Sequence, residues 1–159
     1  MGNAKRLFNK NNNNIKMKTI SVLDNFSEFP ALRHCNISDK SGEEFYHNIL
    51  NEEFKKAYEK NEKLTVNLDA TAGYASSFLD EAFGNLVYDF TLEAVKKTIE
   101  IISEQEPHWK EMIINQTYQE WETRRKENKS PIVTIVHQAW FRLINKELKS
   151  EVWERPVVA

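Results

Sequence analysis

Hydrophobic residues along the chain follow two patterns, short β-branched runs and longer stripes at helical spacing. Three short runs predict strands over residues 17–23, 63–68 and 98–102. Between and after these runs, apolar residues recur every three or four positions, which is typical of helices with one buried face. The alternation of strands and helices predicts an α/β layer fold whose strands are at least partly parallel.

The first predicted helix runs from Ser41 to about Asn61. Ser41 and Glu44 stand at capping-box spacing, in which a serine oxygen and a carboxylate satisfy free amides at the helix start. The adjacent acids Glu43 and Glu44 are predicted to be solvated side chains rather than a catalytic dyad. This helix start is therefore interpreted as structural.

The second predicted helix begins at Ser76 or Ser77 and is the clearest amphipathic helix in the chain. Its apolar face, which is predicted to be buried, consists of Phe78, Leu79, Ala82, Phe83, Leu86, Val87 and Phe90. Its polar face consists of Asp80, Glu81, Asn85 and Asp89. This division predicts a helix that lies with its apolar face on the core.

After the third strand, Pro107 marks the start of a third helix that runs to about Lys126. Residues 128–131 break the chain after this helix. Beyond the break, residues 132–136 are compatible with a strand, but the apolar spacing favours a helix over most of residues 136–151.

The predicted organisation has three parts. Residues 1–16 form a disordered, basic, asparagine-rich leader, and residues 17–105 form the α/β domain. Residues 106–159 form a helical C-terminal extension packed on the domain. Trp140 and Trp153 lie in this extension, and two roles remain open for them, packing the tail or forming an interface.

Composition narrows the class of protein. The chain is 40% hydrophobic and 29% charged, which excludes a wholly disordered protein. No apolar run approaches the roughly 18 residues of a membrane helix, so no membrane partner is predicted. The net charge of −2 argues against nucleic acid as a partner. The basic leader gives an alternative hypothesis, in which its lysines and arginine contact phosphates. Met17 is an alternative start of translation.

Cys35 is the single cysteine, so no disulfide can form within the chain. This fits a reducing compartment, and the lack of a secretory pattern at the start supports a cytoplasmic, bacterial protein. The four histidines show no metal-ligand spacing: His34, His47, His108 and His137. We therefore expect no metal and no cofactor, and the absence of a catalytic cluster favours a role other than that of an enzyme.

The start of the second helix is the candidate site. Ser77 and Asp80 nearly match a capping box, and Asp80 and Glu81 are predicted to lie in the first turn. Free amides at such a position also bind anions. The candidate residues are Ser76 and Ser77, with four neighbours: Asp69, Gly73, Asp80 and Glu81. Structural capping and a modifiable or ligand-facing serine both remain open.

This helix start, with SSFLDEA at residues 76–82 and Gly84 after it, resembles the STAS-like domain family of unknown function. Residues 41–45 are similar to the upstream helix of such domains, and the resemblance spans about residues 17–103. It implies a STAS-like α/β fold in which a mixed β-sheet packs with amphipathic helices. The C-terminal helical segment would be an addition to that fold.

The wider fold includes anti-sigma factor antagonists, in which a serine at this helix start is phosphorylated by a histidine-kinase-like ATPase. By position, Ser76 is similar to that serine, and Ser77 is the second choice. Ala75 and Phe78 depart from the antagonist pattern, which has an aspartate and a small glycine there. The resemblance implies a non-enzymatic interaction or switch module with a protein partner, such as a histidine-kinase-like ATPase. The alternative is a nucleotide- or anion-binding protein or enzyme that uses the same helix start.

Overall fold

Three parallel strands form the central sheet. The computed structural model describes residues 17–155, so the predicted leader over residues 1–16 lies outside the described residues. The strands are β1 (Met17–Ser21), β2 (Lys63–Asn67) and β3 (Ile99–Ile102). They pair in the order β1-β2-β3, with β2 in the centre of the sheet. In the central strand Leu64, Thr65 and Val66 are all buried, as expected for a strand flanked by neighbours and covered by helices. The predicted α/β fold is confirmed.

Five helical elements accompany these strands. A single short turn, α1 (Val22–Asn25), follows β1 directly, because Ser21 Oγ accepts a hydrogen bond from the Asp24 amide at 3.2 Å. The two longer interrupted helices are α2 (Gly42–Phe45, a π-helical turn Tyr46–Leu50, and Asn51–Glu59) and α5 (Pro107–Met112, a π-helical turn Ile113–Thr117, and Tyr118–Lys126). The others are α3 (Ser76–Phe90) and α4 (Leu92–Thr98). No helix among residues 17–155 is long and apolar enough to cross a membrane.

Aromatic side chains from α2 and α3 fill the core. The ring centroids of Phe45 and Phe78 are 5.9 Å apart, and Phe26 lies 5.3 Å from Phe45. Phe83 and Phe90 are also fully buried. The apolar face predicted for α3 is therefore confirmed, and burial of these large rings supplies much of the driving force for folding.

The C-terminal segment differs from its prediction. Residues 136–151 do not form a helix, and residues 132–136 do not form a strand; instead an antiparallel hairpin joins β4 (Trp140–Ile144) and β5 (Glu147–Glu151). Asn145 and Lys146 connect these strands with φ angles of 51° and 66°. Two consecutive left-handed residues are typical of the tight turn that matches the twist of a hairpin. Parallel and antiparallel pairings thus occur in two separate sheets.

An asparagine fastens the hairpin to the domain. Asn51, buried on α2, accepts a hydrogen bond from the Phe141 amide at 2.8 Å and donates one to the Phe141 carbonyl at 3.0 Å. Its side-chain amide therefore takes the place of a neighbouring strand for one residue of β4. Helical periodicity could not reveal this pairing, because it depends on a residue about 90 positions away.

Candidate functional site

The start of α3 is open and lacks a side-chain cap. The helix begins at Ser76, and Ala75 is its N-cap residue with extended backbone angles, so no side-chain oxygen accepts from the first-turn amides. The predicted capping role of Ser77 is therefore wrong. Ser76 is exposed and Ser77 is partly exposed.

The acidic residues near this start belong to a different contact. The first turn contains no acid, so the predicted placement of Asp80 and Glu81 there is also wrong. The Arg33 guanidinium donates to Asp80 at 2.8 Å and to Glu81 at 3.1 Å. Asp80 also accepts from the Trp121 indole at 3.1 Å. These pairings neutralise part of the acidic charge that would otherwise oppose an anion at Ser76.

Asp69 and Gly73 shape the loop that leads to Ser76. Asp69 accepts hydrogen bonds from the amides of Glu104 and Gln105 at 3.2 and 3.0 Å, so it joins the loops that follow β2 and β3. Gly73 has a φ of 140°, which side chains rarely tolerate. These two predicted neighbours of the site position its backbone.

The polar face predicted for α3 is buried rather than exposed. Glu81, Asn85 and Asp89 are only 2%, 3% and 1% accessible. They lie under α5 and the C-terminal segment, where Arg142 donates to Asp89 at 2.7 Å. Burial raises the pKa of Asp89 to about 6, although the neighbouring Arg142 opposes that shift. The C-terminal segment therefore completes the polar interior of the domain.

A second polar centre surrounds Glu43 at the start of α2. Glu43 is fully buried and accepts hydrogen bonds from Thr134 Oγ1 at 2.7 Å, from the Thr134 amide at 3.1 Å and from the Cys35 amide at 3.2 Å. Its carboxylate also contacts His137 Nε2 at 2.7 Å and His34 Nδ1 at 3.1 Å. The prediction that Glu43 is solvated is therefore wrong.

The protonation of Glu43 follows from these contacts. Burial by itself would raise the pKa of Glu43, but the hydrogen bonds from His137 and Thr134 hold it well below its ordinary value. The residue is thus a buried carboxylate. It links the loop around Cys35, the start of α2 and the segment around His137.

His47 packs beside this centre without a polar partner. Its ring stacks on His137 at a centroid distance of 4.3 Å and meets the Trp140 ring edge-on at 4.6 Å. The ring is 2% exposed, and within the described residues neither of its nitrogens makes a hydrogen bond. Burial lowers the pKa of His47 to about 3, so the ring is neutral. The residue lies in the π-helical turn of α2, a feature often found at functional sites.

Cys35, Glu44 and His137 form a further cluster that the sequence analysis did not predict. One sulfur, oxygen or nitrogen atom from each residue lies within 4.8 Å of the other two. Ligand spacing along the chain could not reveal it, since the loop, α2 and the C-terminal segment each contribute one residue. The adjacent pair Glu43 and Glu44 is the signal that could have drawn attention to this region.

Two clefts flank the C-terminal segment as it crosses the domain. One has a volume of about 380 Å³ and is lined by residues that include Arg33, Asp80 and Trp121. The other has a volume of about 480 Å³, and its lining includes His47 and Trp153. Ile132 lines both clefts, so the C-terminal segment forms part of the wall of each.

Comparison with known proteins gives one result. Residues 41–109 match the model of a family described as STAS-like domain of unknown function (DUF4325). The match begins at Ser41, contains the start of α3 at Ser76 and ends in the first turns of α5. No curated protein and no solved structure matches the chain. Residues 41–109, which contain β2, β3 and the helices α2 to α4, are therefore similar to a STAS-like domain of unknown function.

Proposed function

We propose that the protein is a non-enzymatic, regulatory interaction module that binds a protein partner at the start of α3. The observation that carries this proposal is the exposed Ser76 at the uncapped start of a 15-residue helix inside the STAS-like domain. First-turn amides without a side-chain acceptor are available to groups of another molecule. Ser76 and Ser77 are the central contact residues of the proposed surface.

An exposed aromatic residue extends this surface. The Ala72 amide donates to the Glu28 carbonyl at 2.8 Å, which ties the loop before Ser76 to the segment that carries Phe29. Phe29 is 63% exposed. Aromatic residues are enriched in protein interfaces, where they bury a large area on binding. Phe29 and Ser76 together therefore define the proposed partner surface.

The charges around Ser76 favour a switch. A phosphate on Ser76 would meet the free amides of the first turn, and Arg33 already neutralises part of the acidic charge of Asp80 and Glu81. We propose that a histidine-kinase-like ATPase, in the bacterial cytoplasm, is both the partner and the source of this phosphate. Transfer would form a Ser76 Oγ–P bond as the bond between the β- and γ-phosphates of ATP breaks, and the serine proton would leave to solvent.

Surface variants test the proposal with a purified ATPase of this class. Ser76→Asp and Phe29→Asp should each weaken binding by about tenfold or more, which corresponds to about 1.4 kcal/mol. Ile144→Asp is a matched control, because Ile144 is an exposed apolar residue on β4. Equal binding by wild type and all three variants would remove Ser76 and Phe29 from the interface.

The same uncapped helix start supports a second candidate, binding of a nucleotide or another anion. A thermal-shift titration with inorganic phosphate and with ATP separates it from the first, since a ligand that binds only the folded state raises the melting temperature. Because added acid at Ser76 would repel such a ligand, Ser76→Asp should abolish the shift. A shift that persists in Ser76→Asp would place the anion elsewhere.

A further inference from the structure

Three potential metal ligands from separate segments converge beside the start of α2. Cys35 Sγ lies 3.3 Å from Glu44 Oε2 and 3.9 Å from His137 Nε2. All three ligand atoms lie within 4.8 Å of one another. We propose that Cys35, Glu44 and His137 bind a divalent cation of the zinc type.

The two distances from Cys35 Sγ are close to those that such an ion requires. Bond lengths of about 2.0–2.3 Å and tetrahedral angles place neighbouring ligands about 3.4–3.6 Å apart. The two distances from Cys35 Sγ, 3.3 and 3.9 Å, lie on either side of this range. The third pair, Glu44 and His137, lies within 4.8 Å, so rotation of one of these side chains would complete the coordination.

A nucleophilic triad of Cys35, His137 and Glu43 does not explain the same cluster. In a triad, the acid holds one ring nitrogen while the other nitrogen takes the proton of the nucleophile. Here the same atom, His137 Nε2, faces Glu43 at 2.7 Å and Cys35 at 3.9 Å. A single nitrogen that donates to the acid cannot also take the thiol proton, so the cluster lacks the geometry of a triad.

The surrounding charge also favours a cation. The start of α2 presents about half a positive charge, which by itself would oppose a cation there. Glu44 contributes a carboxylate to the site, and the buried Glu43 carboxylate lies beside it, 2.7 Å from His137 Nε2. These two negative charges outweigh the helix dipole.

The ligand set selects the class of metal. A thiolate and an imidazole are preferred by zinc and related transition metals, whereas magnesium and calcium prefer sets made of oxygen. On binding, the Cys35 sulfur–hydrogen bond breaks, its proton leaves to solvent and a sulfur–metal bond forms. Binding would also replace the hydrogen bond from His137 Nε2 to Glu43: the Nε2 proton leaves to solvent, Nδ1 takes up a proton from solvent, and the Nε2 lone pair coordinates the ion.

Such an ion would join three parts of the fold. It would connect the loop that carries Cys35, the first turn of α2 and the segment that carries His137. That segment crosses between the two clefts, so the ion would fix their shared wall. The site lies within the body of the domain, and the variants that test it leave Ser76 and Phe29 unchanged.

The test uses the full chain, stripped of metal with a chelator and titrated with zinc. We expect one ion per chain in calorimetry and a higher melting temperature that excess chelator reverses. Cobalt is a coloured substitute, and a thiolate-to-cobalt absorption band can arise only from Cys35, the single cysteine. Cys35→Ser should remove that band and weaken zinc affinity by at least about 100-fold.

Variants at the other ligands decide between this site and binding by a lone thiol. Glu44→Gln and His137→Gln should each weaken zinc affinity by about tenfold or more. His108→Gln is the matched control, because His108 is an exposed histidine on α5 whose side chain is 59% accessible. Unchanged affinity in Glu44→Gln would overturn the proposal even if His137→Gln fails to fold. Absence of zinc binding by the wild-type protein would overturn it as well.

Discussion

The two helices that flank β2 begin with similar sequences but in different surroundings. Both starts combine serine with an acid three residues later, Ser41 with Glu44 in α2 and Ser77 with Asp80 in α3. In α2, Ser41 Oγ accepts from the Glu44 amide at 3.1 Å and the start is buried. In α3, no serine caps the helix and Ser76 is exposed.

The difference shows what a local pattern can predict. Serine and acid at this spacing favour a helix start in both places, and both helices form there. The surroundings then decide the role of the side chains, because the C-terminal segment covers the start of α2 and leaves Ser76 accessible. One start thus becomes a buried polar centre, and the other remains exposed.

Removal of Glu43 is the strongest way to break the comparison. Glu43→Ala leaves its partners in the buried centre without their shared acceptor, so we expect a loss of about 3–5 kcal/mol in the free energy of unfolding. The measurement is urea unfolding with a chelator present. Glu52→Ala, which removes an exposed carboxylate of the same helix, should cost less than about 0.5 kcal/mol. A loss below about 1 kcal/mol for Glu43→Ala would contradict a central role for this carboxylate.

A change of pH tests the buried Asp89 of α3, which contrasts with the exposed start of the same helix. Since burial raises the pKa of Asp89 to about 6, the folded protein holds a proton there that the unfolded chain releases above about pH 4. The contribution of Asp89 to the free energy of unfolding is therefore present at pH 4 and is lost as the pH rises through 6. A pKa of about 6 corresponds to a loss of about 2 kcal/mol over this range.

Asp89→Asn isolates this effect. The stability difference between wild type and Asp89→Asn should shift by about 2 kcal/mol in favour of the variant between pH 4 and pH 7. Ser76→Asn, at the exposed start of the same helix, should show a constant difference over that range. A constant difference for Asp89→Asn too would mean that Asp89 has an ordinary pKa.

The sequence predicts the parts of this molecule that depend on neighbouring residues. The strands, the apolar faces of α2 and α3, and Pro107 at the first position of α5 follow from local spacing. The hairpin could not be predicted in this way, because Trp140 and Leu143 stand at helical spacing and the apolar residues of β4 do not alternate with polar ones. Its pairing depends on the turn at Asn145 and on Asn51 of a distant helix.

The two candidate sites differ in the same way, because one could be predicted from neighbouring residues and the other could not. Ser76 was found from its sequence pattern and lies exposed at a helix start. The centre around Glu43 was missed, because its histidine partners lie 9 and 94 residues away along the chain. Whether a carboxylate is buried depends on the residues that surround it in the fold. The sequence of α2 does not indicate that the segment around His137 covers Glu43.

The most direct test of the contrast between the two helix starts is a matched comparison of serine variants by urea unfolding. Ser41→Ala removes an N-cap side chain and should cost about 0.5–2 kcal/mol. Ser77→Ala removes no cap, and its cost should stay below about 0.5 kcal/mol. Equal losses in the two variants, or a larger loss for Ser77→Ala, would contradict the conclusion that only the start of α2 is built into the fold.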